Sequence, residues 1–385
     1  MNLKPIILED PIANVLRSKA FNKRLMALMS VLTVLSLLVV SVYFYGVFKD
    51  EERAIESRLE TVTELRRAAI SRFMTSQDQE TRLWAAHESI HATAEALFEC
   101  WARLDGQERQ DIRRLYARGG EGLQADLQTG SDAVQAYKKM HARAHKVLKA
   151  FKEHHEYYDV FLFNADGDLV YSVEKEDDFG LNFSAEGDQY KNSGLGQVFR
   201  EAFTSQEQAS SFVDFLPYAP SNDDAASFLA RPILSQEGDV IGVYAIQVPT
   251  DNFNAKLQYA SGLGNTGETY LVGEDLLMRN DSRLSEAHTA LMRTVDTDIV
   301  RDALQGHDVL RKGINFNGKT TLAAAKPMDF NGIRWAVVTE VESAELWAPF
   351  RPYILFYMVA MLFVVTFAIL QYLLLRIKTG RRIAV

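Results

Sequence analysis

Tyr157-Tyr-Asp-Val-Phe-Leu-Phe-Asn-Ala-Asp-Gly-Asp-Leu-Val-Tyr171 decides how the centre of the chain folds. Val160–Asn164 and Asp168–Glu174 read as strands, and Asp166–Gly167 between them is a tight-turn dipeptide. Downstream the spacing predicts a helix near Leu195–Thr204 and three strands, Ser210–Leu216, Ala226–Leu234 and Val240–Val248. The pattern then recurs. Thr269–Val272 and Leu276–Asn280 make a second hairpin, a helix follows near Asp298–Gln305, and three strands come next, Val309–Phe316, Lys319–Lys326 and Ile333–Val341. A short helix, about Asp251–Ala260, joins the copies. Each copy is expected to be a five-stranded antiparallel sheet with a helical cover.

Upstream the texture changes. From Lys49 to about Glu156 there is no proline, glycine appears mainly at Gly106, Gly119, Gly120, Gly122 and Gly130, and alanine, leucine, glutamate and arginine dominate. That is helix composition. One helix is expected from Asp50 to about Leu104, roughly 80 Å long at 1.5 Å per residue, with shorter ones over about Gln107–Arg118 and Asp132–His155. A helix that long with charges spread round it needs a partner, and a homodimer seam is expected along it.

Two runs of 24 residues without a charge, Leu25–Phe48 and Pro352–Leu375, flank this core. About 20 apolar residues cross a bilayer as a helix. Arg17, Lys19, Lys23 and Arg24 precede the first run, and Arg376, Lys378, Arg381 and Arg382 follow the second. Basic flanks stay cytoplasmic, so both tails are expected inside and residues 49–351 outside. The first run is too long for a signal-peptide core and no small-residue cleavage site follows it, so it reads as a retained anchor. The chain carries −9 overall, with +3 on the N-terminal tail and +4 on the C-terminal tail, leaving near −16 outside. Such a domain repels nucleic acid and anionic headgroups. The lone Cys100 excludes an intrachain disulfide. It reads as a partly buried thiol, the alternative being a bridge to a partner subunit.

Few motifs point to catalysis. His87-Glu88-Ser89-Ile90-His91 is a literal H-E-x-x-H on an expected helix, but a zinc peptidase needs a third ligand and a nearby sheet edge. Two surface histidines are the expectation. Gly262-Leu-Gly-Asn-Thr-Gly267 spells G-x-G-x-x-G, yet the strand follows it rather than precedes it, so it reads as a flexible joint. Asp166, Asp168, Asp177 and Asp178 cluster at the first hairpin without the glycine spacing of a calcium loop, and read as a solvated turn. No enzyme, cofactor or metal is expected. Phe161, Phe163, Tyr171, Phe212, Phe215, Phe228 and Tyr244 load the first sheet with aromatics. Most must be core, and a few can wall a cavity.

His141-Ala-Arg-Ala-His145 and the opening stretch, with Lys175-Glu-Asp-Asp-Phe179, resemble bacterial double Cache sensor domains. So do Asp214-Phe-Leu-Pro-Tyr-Ala-Pro-Ser-Asn222, Gly262-Leu-Gly-Asn-Thr-Gly-Glu-Thr-Tyr-Leu-Val-Gly273 and Leu277-Met-Arg-Asn-Asp-Ser-Arg283. The resemblance covers about residues 130–345 and is greatest to chemotaxis receptors; such domains also occur in histidine kinases and nucleotide cyclases. It implies an α+β chain in which two transmembrane helices flank a helical stalk and two tandem PAS-like modules. The expected boundaries are tail 1–24, span 25–48, helical region 49–156, distal module 157–250, proximal module 251–345, span 352–375 and tail 376–385. The function implied is extracytoplasmic sensing of a small molecule at the bacterial inner membrane, with the membrane-distal module as ligand holder. Family members run on into a HAMP relay and a cytoplasmic output domain. Here Arg381-Arg-Ile-Ala-Val385 stands about where a HAMP helix begins, so a fragment, or an output supplied by a partner, is expected. The Arg-x-Trp-Tyr run of amino-acid-binding members is missing, which speaks against a generic amino-acid ligand.

The ligand is expected between the first meander and the loop from Phe179 to Leu195. Tyr171, Tyr190, Phe212, Asp214, Tyr218, Tyr244 and Gln247 are the expected contacts, aromatics for walls and the polar groups for orientation. Each has a plainer alternative, as core or, for Asp214, as a turn cap. Signal would pass through the packing between modules, then from Ile333–Val341 through a helix Glu342–Phe350 into the second span. A membrane-anchored interaction protein without a small ligand is the rival reading, and the H-E-x-x-H hydrolase a third.

Overall fold

The structure is a computed structural model that describes residues 19–117, 130–205, 209–259 and 262–380. Arg17, Arg118, Arg381 and Arg382, the glycines at 119, 120 and 122, and Ala260 lie outside the described residues. The chain divides into two compact units, one of residues 58–342 and one of the two ends.

In the central unit, α1 (Lys19–Ala85) supplies a stalk from Arg58 onward, followed by α2 (Glu88–Ala102), α3 (Gly106–Tyr116) and α4 (Asp132–His155). The single helix expected over 50–104 is therefore two. His87 sits at φ −78°, ψ 126°, outside helical space, and its ring caps the Ser89 amide. Backbone donors at a helix start need such a cap. Asp105 caps α3 in a reciprocal box with Glu108. Glu156 ends α4 in the left-handed region at φ 57°, turning the chain into the first sheet.

That sheet holds β1 (Asp159–Asn164), β2 (Leu169–Ser172), β3 (Ser211–Tyr218), β4 (Asp224–Leu234) and β5 (Val240–Pro249), all antiparallel in the order β2-β1-β5-β4-β3. Both faces are buried, so its strands read as nearly continuous apolar runs rather than alternating ones. One face packs Val160, Leu162, Leu229 and Ile246 against Ile70 and Met74 of α1, Leu97 and Trp101 of α2, and Leu148 of α4. The other packs Phe161, Phe163, Phe228 and Ala245 against Leu195, Val198 and Phe199 of α5 (Gly194–Thr204).

After α6 (Thr250–Leu257) the second module contains β6 (Glu268–Val272), α7 (Asp298–Leu304), β7 (Val309–Ile314), β8 (Thr320–Phe330) and β9 (Ile333–Glu342). Its sheet has four strands, in the order β6-β9-β8-β7, and not the five expected. Leu276–Asn280 returns alongside β6 with isolated bridges only, Val272 to Met278 and Leu277 to Thr294. The Arg279 amide does reach the Leu271 carbonyl at 2.8 Å. The next donor, the Leu271 amide, goes instead to the side-chain oxygen of Asn280 at 2.8 Å. A carboxamide has replaced a ladder carbonyl, so the pairing stops there.

The G-x-G-x-x-G segment is pinned, not a loose joint. The Arg283 guanidinium donates to the carbonyls of Gly264, Asn265 and Gly267, and Arg58 donates to that of Gly262. Gly262 and Gly264, at φ 87° and 70°, supply the left-handed turns this needs.

The other unit contains the first part of α1, a short helix α8 (Ser343–Trp347), a 3-10 turn Ala348–Phe350, and α9 (Arg351–Gly380). Both α1 and α9 contain stretches long and apolar enough to cross a membrane. Leu28, Val31, Leu38, Leu362 and Phe363 are exposed on them, as lipid contact requires. The two meet through a 2.9 Å hydrogen bond between the hydroxyls of Ser41 and Tyr357, and Phe48 of α1 stacks in parallel on Trp347 of α8 at 4.8 Å.

Candidate functional site

The site lies on the α5 face of the first sheet. Strand alternation decides which side chains reach it. Asp159 is in phase with Phe161 and Phe163 of β1, and Gln247 is in phase with Val243 and Ala245 of β5. Asp159 stands directly opposite Gln247, and Gln247 opposite Phe228. Two strong acceptors thus share one end of an otherwise apolar face. The segment after β2 brings a third, Asp178, whose Oδ2 accepts a 2.5 Å hydrogen bond from the Tyr218 hydroxyl.

Around them the polar groups are largely satisfied. Asp159 Oδ1 accepts the amides of Val160, Val173 and Glu174 at 2.6, 2.8 and 3.1 Å. The Gln247 amide donates to Ser221, Ser221 donates to Glu176, and Tyr158 donates to the same carboxylate. Three oxygens are buried with no hydrogen-bond partner among the described residues: Asp159 Oδ2, Asp178 Oδ1 and Gln247 Oε1. A buried acceptor left without a donor costs about 1–3 kcal/mol. Burial raises the Asp178 carboxyl to about 7, against the pull of the Tyr218 hydrogen bond. Burial, reinforced by the charge of Asp178, pushes Asp159 well above the ordinary carboxyl range. Lys175 reaches the cluster through its charge, which Asp159 pulls on, and not through a hydrogen bond. Its ammonium donates to the Val173 carbonyl at 2.9 Å and lies 3.1 Å from His145 Nδ1, and burial lowers it to about 8.

The second module has the same positions filled differently. Glu268, first residue of β6, stands opposite Glu340 of β9 on the α7 side. There Ser282 donates to Glu268 at 2.5 Å, and Asn315 and Thr321 donate to Glu340. The second module's acids have donors from the protein, whereas the first module's cluster keeps three oxygens without a donor among the described residues.

The sequence-predicted contacts divide four ways. Tyr218 and Gln247 belong to the acceptor cluster. Tyr171 and Tyr244 are on the opposite, helix-packed face: the Tyr171 hydroxyl meets His145 Nδ1 at 2.9 Å, and Tyr244 is buried with its hydroxyl unpartnered. Phe212 and Asp214 stand at the joint between modules. Phe212 packs edge-on to Phe330 and Trp335, and Asp214 pairs with Arg279 at 2.8 Å. Tyr190 is half-buried beside the α5 cluster. The first strand begins at Asp159, one residue before the expected Val160, which brings this acid onto the sheet. Its signal was an acid in phase with two phenylalanines. Asp178 was read as part of a solvated turn, yet it is fully buried. So, nearly, is Asp168, held by Trp101 Nε1 at 2.9 Å, Arg109 at 3.1 Å and Asn182 at 2.8 Å.

The H-E-x-x-H residues straddle the α1–α2 break. His87 is exposed, whereas His91 is half-buried with Nε2 against the Leu234 carbonyl, so they are not paired surface imidazoles on one helix. Among the described residues no three His, Cys, Asp or Glu side chains gather as metal ligands.

Solved structures similar to this chain include the ligand-binding domain of the Campylobacter jejuni chemoreceptor Tlp3 in complex with L-valine, at 12% identity and TM-score 0.44, covering 77% of this chain and 96% of that one. The extracellular domain of the putative histidine kinase soHK1S-Z6 is similar at 11% identity and TM-score 0.45, with 78% and 99% covered. The periplasmic sensory domain of C. jejuni chemoreceptor Tlp1 is similar at 11% identity and TM-score 0.39, with 72% and 99% covered. No curated protein matches. The family model dCache_1, described as a Cache domain, matches residues 49–350. With most of its length inside that match, this chain belongs to the Cache domain family.

Proposed function

We propose that the chain is the extracytoplasmic sensor of a bacterial inner-membrane receptor, and that its ligand is a small cation rich in N–H donors, such as an amine or a guanidine. The observation that carries this reading is the acceptor cluster of Asp159, Asp178 and Gln247, three buried oxygens that lack donors among the described residues. An ammonium or guanidinium brings donors and positive charge together, which answers both the missing hydrogen bonds and the raised carboxyls. Entry requires the segment from Glu174 to Ser193 to move. A ligand shifts that equilibrium only by its differential affinity for the open and closed forms. The output we propose is of the chemotaxis type, reached through β9, α8 and α9 and delivered by a cytoplasmic domain or partner, with the receptor working as a homodimer paired along the stalk.

Calorimetry on the full chain in nanodiscs, against primary amines, guanidines and matched carboxylates, tests the site. Asp178→Asn keeps the size of the side chain and removes its charge. Amine binding is expected to weaken roughly ten- to a hundredfold. Equal affinity in wild type and variant, or binding of carboxylates alone, would overturn the reading.

Orientation has its own test. An alkaline phosphatase fusion at Gly130 is expected to be active and one at Gly380 silent, because the basic flanks hold both tails inside. Activity at Gly380 would reverse the topology.

A further inference from the structure

A crevice of about 220 Å³ opens where α1 breaks from α2, lined by Arg82, His91, Arg231, Leu234 and Ser235 among others. We infer that it is a second ligand site, one that takes a small oxyanion such as phosphate or a short carboxylate. It lies on the helix-packed face of the first sheet, because Arg231 is in phase with Leu229 and Ile233 of β4. It is therefore separate from the acceptor cluster on the α5 face and does not depend on that reading.

The lining is a set of donors. Arg231 is buried and fixed to α1: Nη2 donates to Asp78 Oδ1 at 2.6 Å, and Nε lies 3.3 Å from the Thr81 hydroxyl. Asp78 balances one guanidinium. Arg82, in the last turn of α1 and exposed, adds a second whose charge reaches Arg231 and works against it. Ser235 Oγ accepts the amides of Glu237 at 3.1 Å and Asp239 at 3.2 Å, which leaves its O–H to donate. His91 is turned to the Leu234 carbonyl and closes one wall. Among the described residues no carboxylate lines the crevice itself; Asp78 pairs with Arg231 behind it, and Glu95 stands 3.6 Å from His91 Nδ1. On an outer region near −16, a crevice where Asp78 balances Arg231 and the exposed Arg82 adds a further guanidinium beside a hydroxyl donor is a local reversal of sign. Guanidiniums suit carboxylate and phosphate oxygens by geometry as well as charge. An oxyanion held there would tie the end of α1 to the end of β4 across the helix break.

The test uses the full chain in uncharged detergent, titrated calorimetrically with inorganic phosphate and with succinate, at an ionic strength matched with sodium chloride. Binding of at least one is expected, with a loss of tenfold or more in Arg82→Ala and partial retention in Arg82→Lys. Arg82 is exposed, so the alanine variant keeps the fold, and thermal unfolding in chloride checks this. Ser235→Ala is expected to lose about three- to tenfold. Binding of phosphate but not succinate assigns a phosphate-type ligand, and the reverse a carboxylate. Absence of binding by either at millimolar concentration, or affinity unchanged by Arg82→Ala, would refute the site.

Discussion

Asp214→Ala is expected to destabilise the central unit by about 3 kcal/mol, the lower end of what breaking a buried ion pair costs. Asp214 on β3 joins the two modules. Its Oδ2 receives Arg279 Nε at 2.9 Å and Nη2 at 2.8 Å, and its Oδ1 receives the Trp335 indole at 3.0 Å and the Phe215 amide at 2.8 Å. The Arg279 side chain is only 4% exposed. Removing the carboxylate strands a buried guanidinium and an indole N–H together. Asp275 still holds Arg279 Nη1 at 2.8 Å, which keeps the loss from reaching the upper end of the range. For a unit of this size the change corresponds to roughly 5–10 °C in unfolding temperature. Trp335→Phe, which removes one donor and keeps most of the ring packing, is expected to cost about 1 kcal/mol. Thermal and denaturant unfolding of both variants checks the ranking. If Asp214→Ala lost affinity for a ligand with unchanged stability, Asp214 would be a ligand contact and not the joint.

The same residue shows what the sequence could and could not tell. Asp214 stands between aromatics on a strand, and local pattern alone reads that as a polar group set in a cavity wall. Its partners are Arg279 and Trp335, 65 and 121 positions away, and nothing in strand periodicity reports a partner at that distance. Tyr171 and Tyr244 stand on the helix-packed face, away from Tyr218 and Gln247, for a related reason. Where both faces of a sheet are buried, aromatic content no longer says which face a side chain takes; only phase does. The meander strands were legible to within a few residues because turns such as Asn317–Gly318 and Asn331–Gly332 bound them. The α1–α2 break was not, since no Gly or Pro marks it and histidine is not a preferred cap. The missing fifth strand was hidden too, because a side-chain carboxamide standing in for a ladder carbonyl leaves no trace in an apolar pattern.

What phase does carry is the placement of the acids. Asp159 and Glu268 each open the first strand of their module on the face covered by the module's own helix, and each looks across at the strand that leaves the module. The repeat has diverged in the partner. Opposite Asp159 is Gln247, and opposite Glu268 is Glu340. A carboxylate facing an amide can wait for a ligand's donor. Of two carboxyls facing each other, the charge of one raises the other's hold on its proton, as Glu268 does for Glu340.

Glu340→Gln is therefore expected to stabilise the protein at alkaline pH and to leave it nearly unchanged in acid. Burial raises Glu340 to about 7, and Glu268 across the strand adds to the rise against hydrogen bonds from Asn315, Tyr270 and Thr321. Glu268 is raised as well, by burial, with Ser282 and Arg283 pulling the other way. Between the ordinary carboxyl value of 4.5 and about 7, the folded protein binds more protons here than the unfolded chain. Stability from this group is thus fully present below 4.5 and falls as pH rises through about 7, by on the order of 3 kcal/mol in all. Glutamine is neutral throughout. Its oxygen can accept from Asn315, and its amide can donate to Glu268. The stability difference between Glu340→Gln and wild type should be within about 1 kcal/mol at pH 5 and grow to about 3 kcal/mol at pH 8. Comparing the two proteins at each pH cancels other titrations, chiefly the buried His141 and His145, which burial lowers and which erode stability on the acid side. Unfolding temperatures at the two pH values decide it. A variant less stable than wild type at pH 8, or a difference that does not change with pH, would mean the two glutamates do not compete for a proton between β6 and β9.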